Sequence, residues 1–182
     1  LVQREDVNLR NKDGNTALHL AVNKLCEILP ATNPFELELP LNPDNNRLFH
    51  LSVQIVLCLA EYADVSIRNH EGKQPIHLML ELESYNLIAL MFFIGIQYED
   101  FSKAVMCLIT PQVADYRLIN GHYILCESLT CLQFELAQLL VDKGADITLN
   151  SSSFLSPLHA LANSSDHGDC NLPENLVTSL AG

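Results

Sequence analysis

One short string returns at a fixed phase along this chain. DVNLRNKDGNTALHLAV begins at Asp6, DVSIRNHEGKQPIHLML at Asp64 and DITLNSSSFLSPLHALA at Asp146. In each, a histidine follows the opening aspartate by 13 positions, at His19, His77 and His159. A degraded copy, ADYRLINGHYILCESL, keeps Gly121 five residues before Cys126, as Gly14 precedes His19 and Gly72 precedes His77. Cys126 and His159 lie 33 residues apart. Self-similarity at that period marks a short array of small structural units that bury their apolar faces on one another.

Each copy predicts where its helices begin. Thr16 and Ser156 are good N-cap residues, because a hydroxyl oxygen can accept from the unpaired backbone donors of a first helical turn. Pro75 and Pro157 suit the first turn itself, where a missing N–H costs nothing. Apolar residues follow at helical spacing, Leu18, Ala21, Val22 and Leu25 in the first copy and Ile76, Leu78, Met79 and Leu82 in the second. A second helix per unit is marked by Val53, Ile55, Val56, Leu57, Leu59 and Ala60, and by Phe134, Leu136, Ala137, Leu139, Leu140 and Val141. Gly144 supplies a C-cap, whereas Tyr62 stands where the second boundary lacks that glycine.

TALH, QPIH and SPLH resemble the T-P-L-H signature of the ankyrin repeat, and LLVDKGADITL resembles its outer-helix ending followed by Gly-Ala-Asp. The chain thus resembles an ankyrin-repeat domain over nearly its whole length, strongly in three copies and weakly in the one where HYILC replaces the signature. The resemblance implies an all-α solenoid of stacked helix hairpins with β-turn fingers. It also implies that Thr16, His19, Pro75, His77, Ser156, Pro157 and His159 are structural, the histidines bonding backbone groups and supporting the loops.

The units are expected at 6–63, with an inserted loop over 30–46, at 64–114, with a helical insertion, at 115–145 and at 146–182. His19 to Asp64 exceeds the uninterrupted Cys126 to Asp146 interval by 25 residues, and His77 to Asp115 exceeds it by 18. Pro30, Pro34, Pro40 and Pro43 cannot continue a helix, so the first excess reads as an extended acidic loop. The second, LIALMFFIGI followed by EDFSKAVMCLI, reads as added helix. LVQRE and LPENLVTSLAG resemble parts of outer helices, so both ends are expected to be cut from a longer array.

Ten Lys and Arg against 22 Asp and Glu give a net charge of −12, which argues against a nucleic-acid duplex or an anionic membrane as the main partner. The longest apolar run, Leu87 to Ile96, is well short of the roughly 18 to 20 residues that span a bilayer. No secretory signal opens the sequence, and the six cysteines (Cys26, Cys58, Cys107, Cys126, Cys131 and Cys170) lack the dense spacing of a disulfide framework. An intracellular location, cytoplasmic or nuclear, is expected.

No phosphate-cradling loop, HExxH, CxxC pair or GxSxG elbow is present, so no catalytic activity and no cofactor are expected. His19, His77 and His159 stand one repeat apart and cannot converge on one ion. The tract DHGDC, with Asp166, His167, Asp169 and Cys170, holds four ligand types in five residues, with only His159 or Cys131 to complete a site; a solvated loop is the better reading. One pattern stands against the acidic background. Arg10, Arg68, Arg117 and Asn150 each lie nine positions before the end of a signature, and Lys12 and His70 add a second column two residues on. Such a basic finger edge suits an acidic or phosphorylated protein segment, because guanidinium pairs bidentately with carboxylate or phosphate. The expected role is a non-catalytic protein-interaction scaffold using finger tips and inner helices. The alternative is a targeting or regulatory ankyrin segment of a larger enzyme, ubiquitin-ligase adaptor or channel.

Overall fold

The computed structural model describes residues 6–29, 43–82, 87–88, 91, 99–150, 156–164 and 174–181. These are all-α: eight α-helices and two 3-10 turns, with one isolated antiparallel bridge, Arg117 to Tyr123, and no strand among the described residues. The chain divides into two compact units, Leu1–Leu108 and Ile109–Gly182.

In the first unit, a 3-10 turn at Asp6–Asn8 precedes α1 (Ala17–Ile28), followed by α2 (Pro43–Tyr62), α3 (His77–Leu80) and α4 (Glu99–Cys107). Helix α1 starts where Thr16 caps it: the Thr16 hydroxyl accepts from His19 N, and the His19 ring accepts from Thr16 N. Its buried stripe is Leu18, His19, Val22 and Leu25, while Ala21 is only half-buried. Helix α2 begins earlier than expected. Pro43 is its first residue, so the loop expected over 30–46 ends before it; residues 30–42 lie outside the described residues. Proline is compatible with a helix at that one place, because the first turn leaves its N–H unpaired anyway. Phe49, Ser52, Val53 and Val56 form the inward face of α2, and Phe49 packs on Phe101 of α4 with ring centroids 5.6 Å apart. Burying side chains of this size stabilises the unit by about 1.5–3 kcal/mol each. Ile55, one of the apolar residues that mark this helix, is exposed.

The second copy also departs at its helix start. Pro75 belongs to a turn, and α3 begins only at His77 after 3-10 bonds from His77 N to Gln74 O and Leu78 N to Pro75 O. The cause is Gln74, which has no hydroxyl to cap with and sends its amide to Ser66 O at 3.3 Å. Of the helical insertion expected after α3, α4 is described, whereas most of LIALMFFIGI lies outside the described residues.

The second unit has a 3-10 turn at Pro111–Val113, then α5 (Ile124–Thr130), α6 (Phe134–Asp142), α7 (Pro157–Ser164) and α8 (Glu174–Ala181). Helix α5 packs on α6 and α7, and α8 on α6 and α7. Leu136, Ala137 and Leu140 are buried on α6, while Phe134, Leu139 and Val141 are half-buried. Gly144 ends α6 at φ +91°, with Gly144 N bonded to Val141 O and Ala145 N to Leu140 O, a Schellman closure. Helix α5 ends the same way, with Gln133 N on Ser128 O, but there Leu132 takes the positive φ, +59°.

Candidate functional site

The signature strings fold into fingers that share one set of backbone bonds. Each opens on a turn: Leu9 N to Asp6 O, Ile67 N to Asp64 O, Tyr116 N to Val113 O and Leu149 N to Asp146 O, at 2.9–3.4 Å. By this equivalence Val113, not Asp115, stands where Asp6, Asp64 and Asp146 stand. Each described finger tip then closes with a pair of bonds. These are Asn11 N to Asn15 O with Gly14 N to Asn11 O, Asn69 N to Lys73 O with Gly72 N to Asn69 O, and Leu118 N to His122 O with Gly121 N to Leu118 O. The fourth tip, over 151–155, lies outside the described residues.

Side chains stiffen these tips. The Asn11 carbonyl oxygen accepts from Asp13 N and Asn15 N, and the Asn69 oxygen from Glu71 N and Lys73 N. Asp64 accepts from Ser66 N and Oγ, and Asp146 from Thr148 N and Oγ1, bonds that hold both carboxyls below their ordinary range. The asparagines are legible in the sequence, since Arg-Asn occurs at the same phase in the first two strings, at Arg10-Asn11 and Arg68-Asn69.

Within the first unit two fingers join directly. Asp64 N donates to Asn8 Oδ1 at 2.9 Å, His70 N to Asp13 O at 3.1 Å and Asn69 Nδ2 to Asn15 Oδ1 at 2.9 Å. The His19 ring completes the junction, with Nε2 3.0 Å from Lys73 O. Because Thr16 N donates to Nδ1, the neutral tautomer carries its proton on Nε2 and donates it to that carbonyl. Burial is the main cause holding the His19 pKa below its ordinary value, with Arg10 acting in the same direction. His77 is lowered chiefly by burial too, and its Nδ1 accepts from Gln74 N. In the second unit Asp146 N donates to Asp115 Oδ1 at 2.7 Å, the counterpart of the Asn8 bond. Ser156 Oγ lies 2.6 Å from His159 Nδ1, and Pro157 opens α7. Where Cys126 replaces the signature histidine, His122 Nδ1 instead meets the nearly buried Glu127 at 2.7 Å.

The basic positions lie on these fingers. Arg10, Lys12, Arg68 and His70 are all exposed on the two joined fingers of the first unit, and Arg117 and Asn150 are exposed on those of the second. Two of the arginines also serve their own finger: Arg68 Nη1 donates to Gly72 O at 2.7 Å and Arg117 Nε to Gly121 O at 3.1 Å. That bond aims each guanidinium and leaves further N–H donors for a ligand. In the second column the Lys12 and His70 position becomes Ile119, which is 70% exposed, so the basic character of that column stops at the first unit. Lys73 lies between Glu71 and Glu81, at 3.1 and 2.7 Å, and its charge is spent there.

Burial pushes the Cys26 and Cys131 thiols up to about 12, which makes these two poor nucleophiles. Among the described residues no group of three His, Cys, Asp or Glu side chains could hold a metal ion; the tract 166–170 lies outside them. A polar depression of about 450 Å³ between α6 and α8 is lined by Gln138, Asp142, Asn175, Thr178 and Ser179. No helix among the described residues is long and apolar enough to cross a membrane. The chain matches no model of a known protein family, and no curated protein matches it.

Proposed function

We propose that this chain is a degenerate ankyrin-repeat array acting as a non-catalytic, intracellular protein-interaction scaffold. Its partner is an acidic or phosphorylated protein segment, bound along the finger edge and the adjoining inner helices. The observation that carries the reading is the recurrence of one opening turn, at Asp6, Asp64, Val113 and Asp146, with the same tip closure in the first three, each followed by a helix or a helical turn. A recurring unit presents equivalent side chains at the same place on each finger, and that place is arginine in three of four copies on a chain of net charge −12. Arg10 and Arg68 on joined fingers offer a carboxylate or phosphate two neighbouring guanidinium groups.

The test is affinity capture with the folded chain, then binding of the captured partner to charge-reversed variants. Arg10→Glu with Lys12→Glu leaves the finger bonds named above in place and is expected to weaken binding at least tenfold, about 1.4 kcal/mol. Adding Arg68→Glu and Arg117→Glu should weaken it further, with the helical circular dichroism retained. An affinity unmoved by all four reversals would rule out the finger edge.

A further inference from the structure

We infer that the solvent face of α2 is a self-association surface, pairing antiparallel with α2 of a second copy of this chain. Helix α2 is apolar on two sides. Its inward face is Phe49, Ser52, Val53 and Val56. On the other side Leu48, Leu51, Ile55 and Tyr62 are 51%, 57%, 44% and 49% exposed, and Cys58 is exposed between them. Exposed leucines scattered singly need no explanation. These are not scattered: positions 48, 51, 55, 58 and 62 alternate steps of three and four, the spacing of a coiled-coil seam, so they form one stripe along the helix.

The flank of that stripe identifies the occupant. Arg47, Gln54 and Glu61 follow one another at seven-residue steps beside the seam; Arg47 and Glu61 are exposed, and Gln54 donates to Asp100 at 2.8 Å. The flank therefore runs from positive to negative. A parallel copy would set Arg47 and Gln54 beside Ser52 and Leu59 of the second helix, which carry no charge to pair with. An antiparallel copy sets Arg47 against Glu61 at both ends, with uncharged Gln54 at the centre, as an isologous two-fold contact requires. The same register layers Leu51 on Ile55 and Leu48 on Cys58 of the second copy. A seam of four layers is short, so the dimer is weak and concentration-dependent.

Sedimentation equilibrium of the whole chain, up to its solubility limit, should show a monomer–dimer equilibrium. Leu51→Glu with Ile55→Glu should weaken it at least tenfold without changing the circular dichroism. Arg47→Glu or Glu61→Arg alone should weaken dimerisation, and the two together should restore it. Independently of those variants, Leu48→Cys should give, on mild oxidation, a covalent dimer joined to Cys58 of the second copy, located by peptide mass mapping. A chain that stays monomeric at every concentration, a dimer indifferent to the two glutamates, or a charge swap that fails to restore association would each overturn the inference.

Discussion

Gly14 and Gly72 occupy the same place in two fingers, with φ of +78° and +79°, yet their surroundings differ. A Cβ on Gly14 would stand 2.6 Å from His70 Cδ2 and 2.7 Å from His70 N, whereas one on Gly72 would meet nothing within 4 Å. Gly72→Ala is therefore expected to cost only the left-handed backbone penalty, about 1–2 kcal/mol. Gly14→Ala should cost clearly more, because the finger junction must also open. Urea midpoints of the two variants measure the difference. The histidines give a pH signature. Burial lowers the folded pKa of His19 and His77 below 6.5, so the unfolded chain takes up protons first on acidification. Their contribution is complete above pH 6.5 and is lost as pH falls from there through the folded values. Thermal midpoints should fall between about pH 7 and 5, and the slope should be shallower in His19→Asn.

At the scale of elements, the caps decide where helices start and stop. Thr16 is buried and closes a capping box on α1, so Thr16→Ala should cost about 1–2 kcal/mol, read by chemical denaturation. The starts of α1 and α7 were legible because hydroxyl and proline chemistry is local. The start of α3 was not: the Gln74 amide is drawn to Ser66 O, eight residues back, an attraction that exists only once the finger has folded. Pro43 is ambiguous for a related reason, since proline both ends a helix and opens one, and its neighbours in the chain do not say which. Leu132 carries a positive φ that no local signal announces, held by the Gln133 to Ser128 and Leu132 to Leu129 bonds closing α5.

For the whole molecule, the net charge of −12 means that screening should relieve self-repulsion. Raising sodium chloride from about 20 to 200 mM is expected to raise the thermal midpoint, measured by circular dichroism, because the Debye length shrinks over that range. The periodicity of the strings, the helical class, the phase of the fingers and the places of Arg10, Arg68 and Arg117 were all determined by the sequence itself. Each rests on contacts between residues a few positions apart, and spacing encodes such contacts directly. Tertiary structure alone decided that Asn8 and Asp115 tie one finger to the next, that His19 reaches the Lys73 carbonyl, and that Ile55 faces outward while Phe49 faces in. Those outcomes depend on which groups meet from segments 31 to 56 residues apart, and on which side of an apolar helix the neighbours arrive. A helix that is apolar on two faces carries no local mark of which one the core will claim.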